Sequence, residues 1–184
     1  MHTQLFPLGA LLWLFESKPA QCPEKIASWL YDEHSLTKKL EGLCRQFSVQ
    51  IRQQKIVSAD GSLSGYFSNE AQILVREVFL YCDNRPVVFA QTEIPFSTLT
   101  EQQAQLAEIG SQSLGRILFQ DPTMQRGAIE IAQLTDKSML APIAAQIKQN
   151  YDHPLWARRS LFYLNNNPLL VSELFLPAAA IYLP

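Results

Sequence analysis

Two charged residues stand where strand periodicity calls for apolar ones. Along a strand, alternate side chains share a face. Arg76 therefore lies with Leu74, Val78 and Leu80, and Glu173 with Leu169, Val171 and Phe175. Burying an unpaired charge is costly, and breaking a buried pair costs roughly 3–5 kcal/mol. Three arrangements meet that constraint: the two pair with each other, one strand is an exposed edge, or both line a pocket where a ligand completes their hydrogen bonding.

Two short steps, Ser35-Leu36 and Ser113-Leu114-Gly115, sit at expected helix starts. The first backbone N–H groups there lack intrahelical partners, and the helix dipole favours an anion. Gly115 would let a ligand approach the chain closely. Two ordinary caps would give the same pattern. Other chemistry is poorly represented. Cys22, Cys44 and Cys82 form no C-x-x-C pair, and His2, His34 and His153 form no H-x-x-x-H pair, so no metal site is expected. An odd number of scattered cysteines suits free thiols in a reducing compartment. No G-x-S-x-G, phosphate loop or G-x-G-x-x-G occurs.

The elements that must position these residues read as a mixed fold. Segments 73–82 and 87–94 are rich in β-branched and aromatic residues, and Asp83-Asn84-Arg85-Pro86 supplies turn chemistry between them. A second hairpin joins 160–164 to 169–176 through Asn165-Asn166-Asn167-Pro168. Phe47, Val49 and Ile51 alternate with polar residues in a strand near 47–57, and a further strand is expected near 126–133. Pro23 and Glu24 open a helix carrying Ile26, Trp29 and Leu30, and Ser35 caps one carrying Leu36, Leu40 and Leu43. Thr100 and Gln103 form a capping box for a helix bearing Leu106 and Ile109, ended by Gly110; Ser113 caps the next through Phe119. Over 137–149, Leu140, Ile143, Ala144 and Ile147 follow an amphipathic helical stripe expected to pack on its own domain. The predicted class is α+β, a single antiparallel β-sheet with helices packed on one face.

With 184 residues, 47% of them hydrophobic, the chain can build one sizeable core, and no linker or repeat divides it. One domain over 1–184 is expected. A net charge of −2 with scattered Lys and Arg offers no nucleic-acid-binding face. The apolar run over 5–15 is too short to span a bilayer and has no Lys or Arg before it, so a buried helix or strand is expected rather than a signal peptide. Pro19-Ala20-Gln21-Cys22 is a poor lipoprotein cleavage site, because Gln21 stands where a small residue belongs. A cytoplasmic protein with no membrane insertion follows.

Several segments together resemble the chorismate pyruvate-lyase family. They are Trp29-Leu30 with Ser35-Leu36-Thr37-Lys38, Val75-Arg76-Glu77-Val78, and Ser113-Leu114-Gly115-Arg116-Ile117-Leu118-Phe119. Ile129-Glu130-Ile131, Trp156-Ala157-Arg158-Arg159-Ser160 and the 168–182 stretch with Ser172-Glu173-Leu174-Phe175-Leu176-Pro177 continue the match in order. The resemblance implies a cofactor-free lyase that splits chorismate into 4-hydroxybenzoate and pyruvate for ubiquinone synthesis. It implies that Arg76 grips the ring carboxylate, that the Leu114 backbone N–H donates to the same group, that Glu173 faces the 4-hydroxyl, and that Leu36 lines the site. Methionine is expected at the Leu36 position in the best-known member of the family, a change that an apolar wall or a backbone donor tolerates. The stretch over 134–152 looks longer than the family pattern, so an accessory helical insertion is expected there.

Chorismate is a dianion, so a second cation should meet its pyruvyl carboxylate. Arg116, Arg126, Arg158 and Arg159 are candidates, and the sequence does not choose among them. The rival reading is a non-catalytic module of the same fold that senses a small aromatic acid, as in certain bacterial transcription regulators. This chain shows no spare length or basic recognition helix for a DNA-reading domain. A third reading makes the 137–149 helix a partner-binding surface. The expected assembly is a monomer.

Overall fold

The computed structural model describes residues 4–15, 22–58, 64–100, 103–148 and 151–183, and shows one antiparallel sheet held by two tight hairpins. In the first, β3 (Gln72–Cys82) turns into β4 (Arg85–Pro95) through Asp83 and Asn84, with φ of 49° and 64°. In the second, β7 (Leu155–Leu164) turns into β8 (Asn167–Phe175) through Asn165 and Asn166, at 49° and 65°. Two consecutive left-handed Asn or Asp residues match the twist of the flanking strands. The turns are thus shorter than expected, and Pro86 and Pro168 already sit in strand ladders opposite Tyr81 and Tyr163.

The remaining strands are β1 (Leu14–Phe15), β2 (Phe47–Ser58), β5 (Gln125–Arg126) and β6 (Glu130–Leu134). The sheet runs β1-β6-β7-β8-β4-β3-β2, with β5 also on β7. Two irregularities interrupt the ladders. On β2 the register shifts between Ile51 and Gln53, so Arg52 is an inserted residue against β3. The strand expected near 126–133 is broken: β6 places Glu130 opposite Arg159, whereas β5 places Arg126 opposite Phe162, one residue out of step.

Both faces of the sheet are covered. α1 (Glu24–Leu30), α2 (Leu36–Glu41) and α3 (Leu114–Leu118) lie over one face, packing Trp29, Leu30, Leu40 and Leu118 toward Val78, Val88, Phe162 and Phe175. Ser35 and Ser113 accept from the backbone N–H of Lys38 and Arg116, capping α2 and α3 as expected. The other face is covered by irregular chain. Phe6, Leu8 and Leu11 of the apolar N-terminal run pack there on Phe79, Phe89 and Leu174. The proposed cleavage motif falls largely outside the described residues.

Two expected helices take a different form. The Thr100–Gln103 box does not close. Gln103 is buried and precedes a single 3-10 turn, Ala104–Ala107. The segment expected as one amphipathic α-helix over 137–149 is a 3-10 helix, Lys137–Ile143, followed by one α-turn, α4 (Ala144–Ile147). Pro142 explains the difference: it has no N–H to donate, and its ring crowds the preceding turn. Lys148 then turns left-handed at φ 39°, and residues 149–150 lie outside the described residues. Leu140, Ile143 and Ile147 still face the core, so the stripe packs on its own sheet. Ile143 is fully buried, and Ile143→Ala should cost about 2–5 kcal/mol in urea unfolding. A cost under about 1 kcal/mol would show that the segment is not part of the core.

Candidate active site

Between the sheet and α2 and α3 lies a cavity with about 580 Å³ free of protein atoms, open solvent at its mouth included. Its floor is the face carrying Arg76, Val78, Ala90, Thr92, Val171 and Glu173; Leu36, Leu114 and Phe119 close it from above. All four expected site residues, Arg76, Glu173, Leu36 and Leu114, therefore meet in one place. Gly115 lines the cavity and has a second task besides the one expected. A Cβ there would stand 2.9 Å from Thr37 Oγ1, which is itself 2.5 Å from Ser113 Oγ. The glycine lets the starts of α2 and α3 abut and form the roof.

Arg76 and Glu173 do not pair with each other. The Arg76 guanidinium is buried and donates from Nη2 to Gly110 O at 2.8 Å and Gln112 O at 3.1 Å. Its Nε has no hydrogen-bond partner, and no carboxylate pairs with it among the described residues. Burial pulls its pKa down to about 10, still cationic at neutral pH. Gly110 is left-handed at φ 54°, which suits glycine and turns its carbonyl to Arg76. Leu114 is the first residue of α3, so its backbone N–H is not used within the helix.

Glu173 has a partner that the strand pattern did not reveal. It lies opposite Arg158 on β7, whose Nε donates to Glu173 Oε2 at 2.6 Å. The two side chains thus form an ion pair on the cavity floor. Arg158 Nη1 also donates to the carbonyls of Trp29 and Asp32, at 3.0 and 2.7 Å.

The four candidate second cations separate cleanly. Arg116 is 57% exposed and pairs with Glu41 outside the cavity. Arg159 points to the opposite face, where Nε and Nη2 donate to Glu130 Oε2 at 3.0 and 2.6 Å and the guanidinium lies over Trp13 and Tyr66. Arg126 and Arg158 line the cavity. Consecutive strand residues take opposite faces, so the sequence could have assigned Arg158 and Arg159 to different sides, though not which was which.

Among the described residues no group of three or more His, Cys, Asp and Glu is placed to hold a metal ion. No helix among them is long and apolar enough to cross a membrane. The three cysteines form no disulfide among them.

A single antiparallel sheet roofed by short helices over a cavity lined by three arginines defines an α+β class. Solved structures share the architecture. The effector domain of PhnF from Mycobacterium smegmatis aligns with a TM-score of 0.56 at 16% identity, covering 78% of this chain and 89% of that one. A GntR-family transcriptional regulator from Bacillus cereus aligns at 0.51 and 12%, covering 71% and 92%. These likenesses concern the fold alone. Sequence likeness goes further. A protein of Psychromonas ingrahamii named a probable chorismate pyruvate-lyase is 55% identical over 186 residues, all of both chains. One of the same name from Shewanella sp. (strain W3-18-1) is 38% identical, covering 95% of this chain and 93% of its own. The family model described as Chorismate lyase matches residues 8–183, and the chain belongs to that family.

Proposed function

We propose that the chain is a chorismate pyruvate-lyase that releases pyruvate from chorismate and leaves 4-hydroxybenzoate, for ubiquinone synthesis, in the cytoplasm. The charge of the cavity carries this reading. Arg76, Arg126 and Arg158 face one carboxylate, Glu173, a formal surplus of two positive charges that a dianion neutralises. Chorismate is such a dianion. Either product is a monoanion and leaves the cavity unbalanced.

In this reading Arg76 and the Leu114 N–H hold the ring carboxylate, and Leu36 walls the ring. Glu173 Oε2 is held by Arg158, so the carboxylate accepts from the 4-hydroxyl with its other oxygen. The bond from the ring to the ether oxygen breaks, and hydrogen leaves the adjacent hydroxyl-bearing carbon. The new ring double bond completes the aromatic system. Delivered to the enolpyruvyl methylene, that hydrogen makes the pyruvate methyl group, and the ether oxygen becomes the pyruvate carbonyl. Atoms balance without a cofactor, because aromatisation supplies the driving force. The protein contributes orientation and charge stabilisation. Residues 1–184 act as one domain, in which 137–147 is an accessory segment remote from the chemistry, and the molecule acts as a monomer.

Purified protein mixed with chorismate should release pyruvate and 4-hydroxybenzoate in equal amounts, followed by absorbance. Tight 4-hydroxybenzoate binding without turnover would instead favour the sensing module, the reading that the shared fold of the GntR-type effector domains keeps in play. Glu173→Gln tests the positioning role. Glutamine keeps the hydrogen bond but cannot shuttle a proton, so turnover should fall less than about a thousandfold with product affinity preserved. Deuterium at the hydroxyl-bearing carbon should appear in the pyruvate methyl group. Washout into solvent, or a loss beyond a thousandfold, would make Glu173 a general base.

A further inference from the structure

We infer that Arg126 is the subsite for the second carboxylate, the one on the enolpyruvyl side chain; this rests on the lyase reading and extends it. Three observations meet at this residue. The first is the register slip between β5 and β6. With β6 continued in step, residue 126 would share the face of Glu130 and Arg159, away from the cavity. The slip reverses the alternation and turns Arg126 to the face of Phe162, whose ring lies 5.1 Å from its guanidinium carbon.

The second is the state of its guanidinium. Nε donates to Ser160 Oγ at 3.1 Å and Nη1 to Asp32 O at 3.2 Å; no carboxylate pairs with Arg126 among the described residues. Arg158, the other cavity cation in question, is already committed to Glu173 and to main-chain carbonyls. Arg126 therefore brings a partly buried positive charge that no carboxylate among the described residues pairs directly, with Glu173, Glu33 and Asp32 acting on it only from a distance. Burial first, and then the neighbouring charge of Arg158, pull its pKa down to about 10 against the opposing pull of Glu173, Glu33 and Asp32, and it stays cationic at neutral pH.

The third is its position relative to Arg76 and Glu173. Ser160, Val171, Thr92 and Arg76 form one cross-strand row, so Arg126, anchored on Ser160, stands three strands from Arg76 across the floor. That spacing is about 14 Å between backbones, which two inward-reaching arginines narrow. Glu173 lies beside this row, opposite Arg158. On chorismate the ether-bearing carbon neighbours the hydroxyl-bearing one. With the ring carboxylate at Arg76 and the hydroxyl at Glu173, the enolpyruvyl carboxylate falls on the Arg126 side.

A contact to the departing group alone predicts a split between substrate and product. Arg126→Met should lower kcat/KM for chorismate at least about a hundredfold, while the Kd for 4-hydroxybenzoate, which lacks that carboxylate, stays within about threefold. Arg126→Lys should recover at least about tenfold over methionine. Pyruvate should inhibit wild type more strongly than Arg126→Met. An unchanged kcat/KM in Arg126→Met would overturn the assignment, as would parallel loss of turnover and 4-hydroxybenzoate affinity in both variants. If wild type releases no pyruvate, the lyase reading falls. The subsite is then decided by equilibrium binding of intact chorismate against 4-hydroxybenzoate to the same proteins, with selective loss of chorismate binding in Arg126→Met supporting it and equal loss overturning it.

Discussion

Arg76→Ala should weaken 4-hydroxybenzoate binding at least about tenfold. A charge-assisted hydrogen bond is worth roughly 1.5–3 kcal/mol, and 1.4 kcal/mol is one decade. The free protein should respond differently. Arg76 carries a buried charge with an unpartnered Nε and only two main-chain acceptors. Replacing imperfectly compensated buried charge with an apolar side chain of similar length is often neutral or stabilising by about 1–4 kcal/mol. Arg76→Met should therefore melt at or above the wild-type temperature while losing the upward shift that 4-hydroxybenzoate gives the wild type. Isothermal titration and thermal melts with and without ligand check both halves. Unchanged affinity in a folded variant would remove Arg76 from the site.

The adjacent residue should behave in the opposite way. Glu77 is fully buried on the other face of β3 and accepts from Phe6 N, Gln53 Nε2 and Gln91 Nε2, and from Arg52 Nη1 in an ion pair. Glu77→Ala strands the Arg52 guanidinium, itself only 6% exposed, at a cost of about 3–5 kcal/mol. At about 2–4 °C per kcal/mol for a chain of this size, the melting temperature should fall by about 6–20 °C. Below that temperature 4-hydroxybenzoate affinity should stay within about threefold, because Glu77 points away from the cavity. A melting temperature within 3 °C of wild type would show that the pair contributes little.

That contrast shows what the sequence made legible. Local signals carried well. Asp83-Asn84 and Asn165-Asn166 announced the hairpins, Ser35 and Ser113 the caps, and a charge on an apolar face marked both Arg76 and Glu173. Signals that depend on what lies opposite did not carry. An antiparallel sheet commonly leaves one face to solvent, so the strand pattern alone does not mark Glu77 as buried; the N-terminal run that covers it does. The partner of Glu173 stayed open because it is fixed by the β7–β8 register, with Arg158 fifteen residues away in sequence. Arg126 was one of four equal candidates because a one-residue slip decides its face. The 137–147 stripe kept its buried positions but not its α-geometry, since apolar spacing does not register the effect of Pro142.

The inserted residue on β2 has a bearing on solubility. β2 is the outermost strand of the long side of the sheet, and Ile51 and Ile56 on it are 39% and 54% exposed. An edge strand of this length with exposed isoleucines is a template for edge-to-edge association. At Arg52 the ladder breaks, and Arg52 and Gln53, neighbours that would normally point to opposite faces, both reach Glu77 and the Gln4 carbonyl. A second chain adding to this edge would meet a kink at the strand's middle instead of a continuous row of donors and acceptors. The bulge that secures the buried ion pair thereby also blunts the surface most open to aggregation.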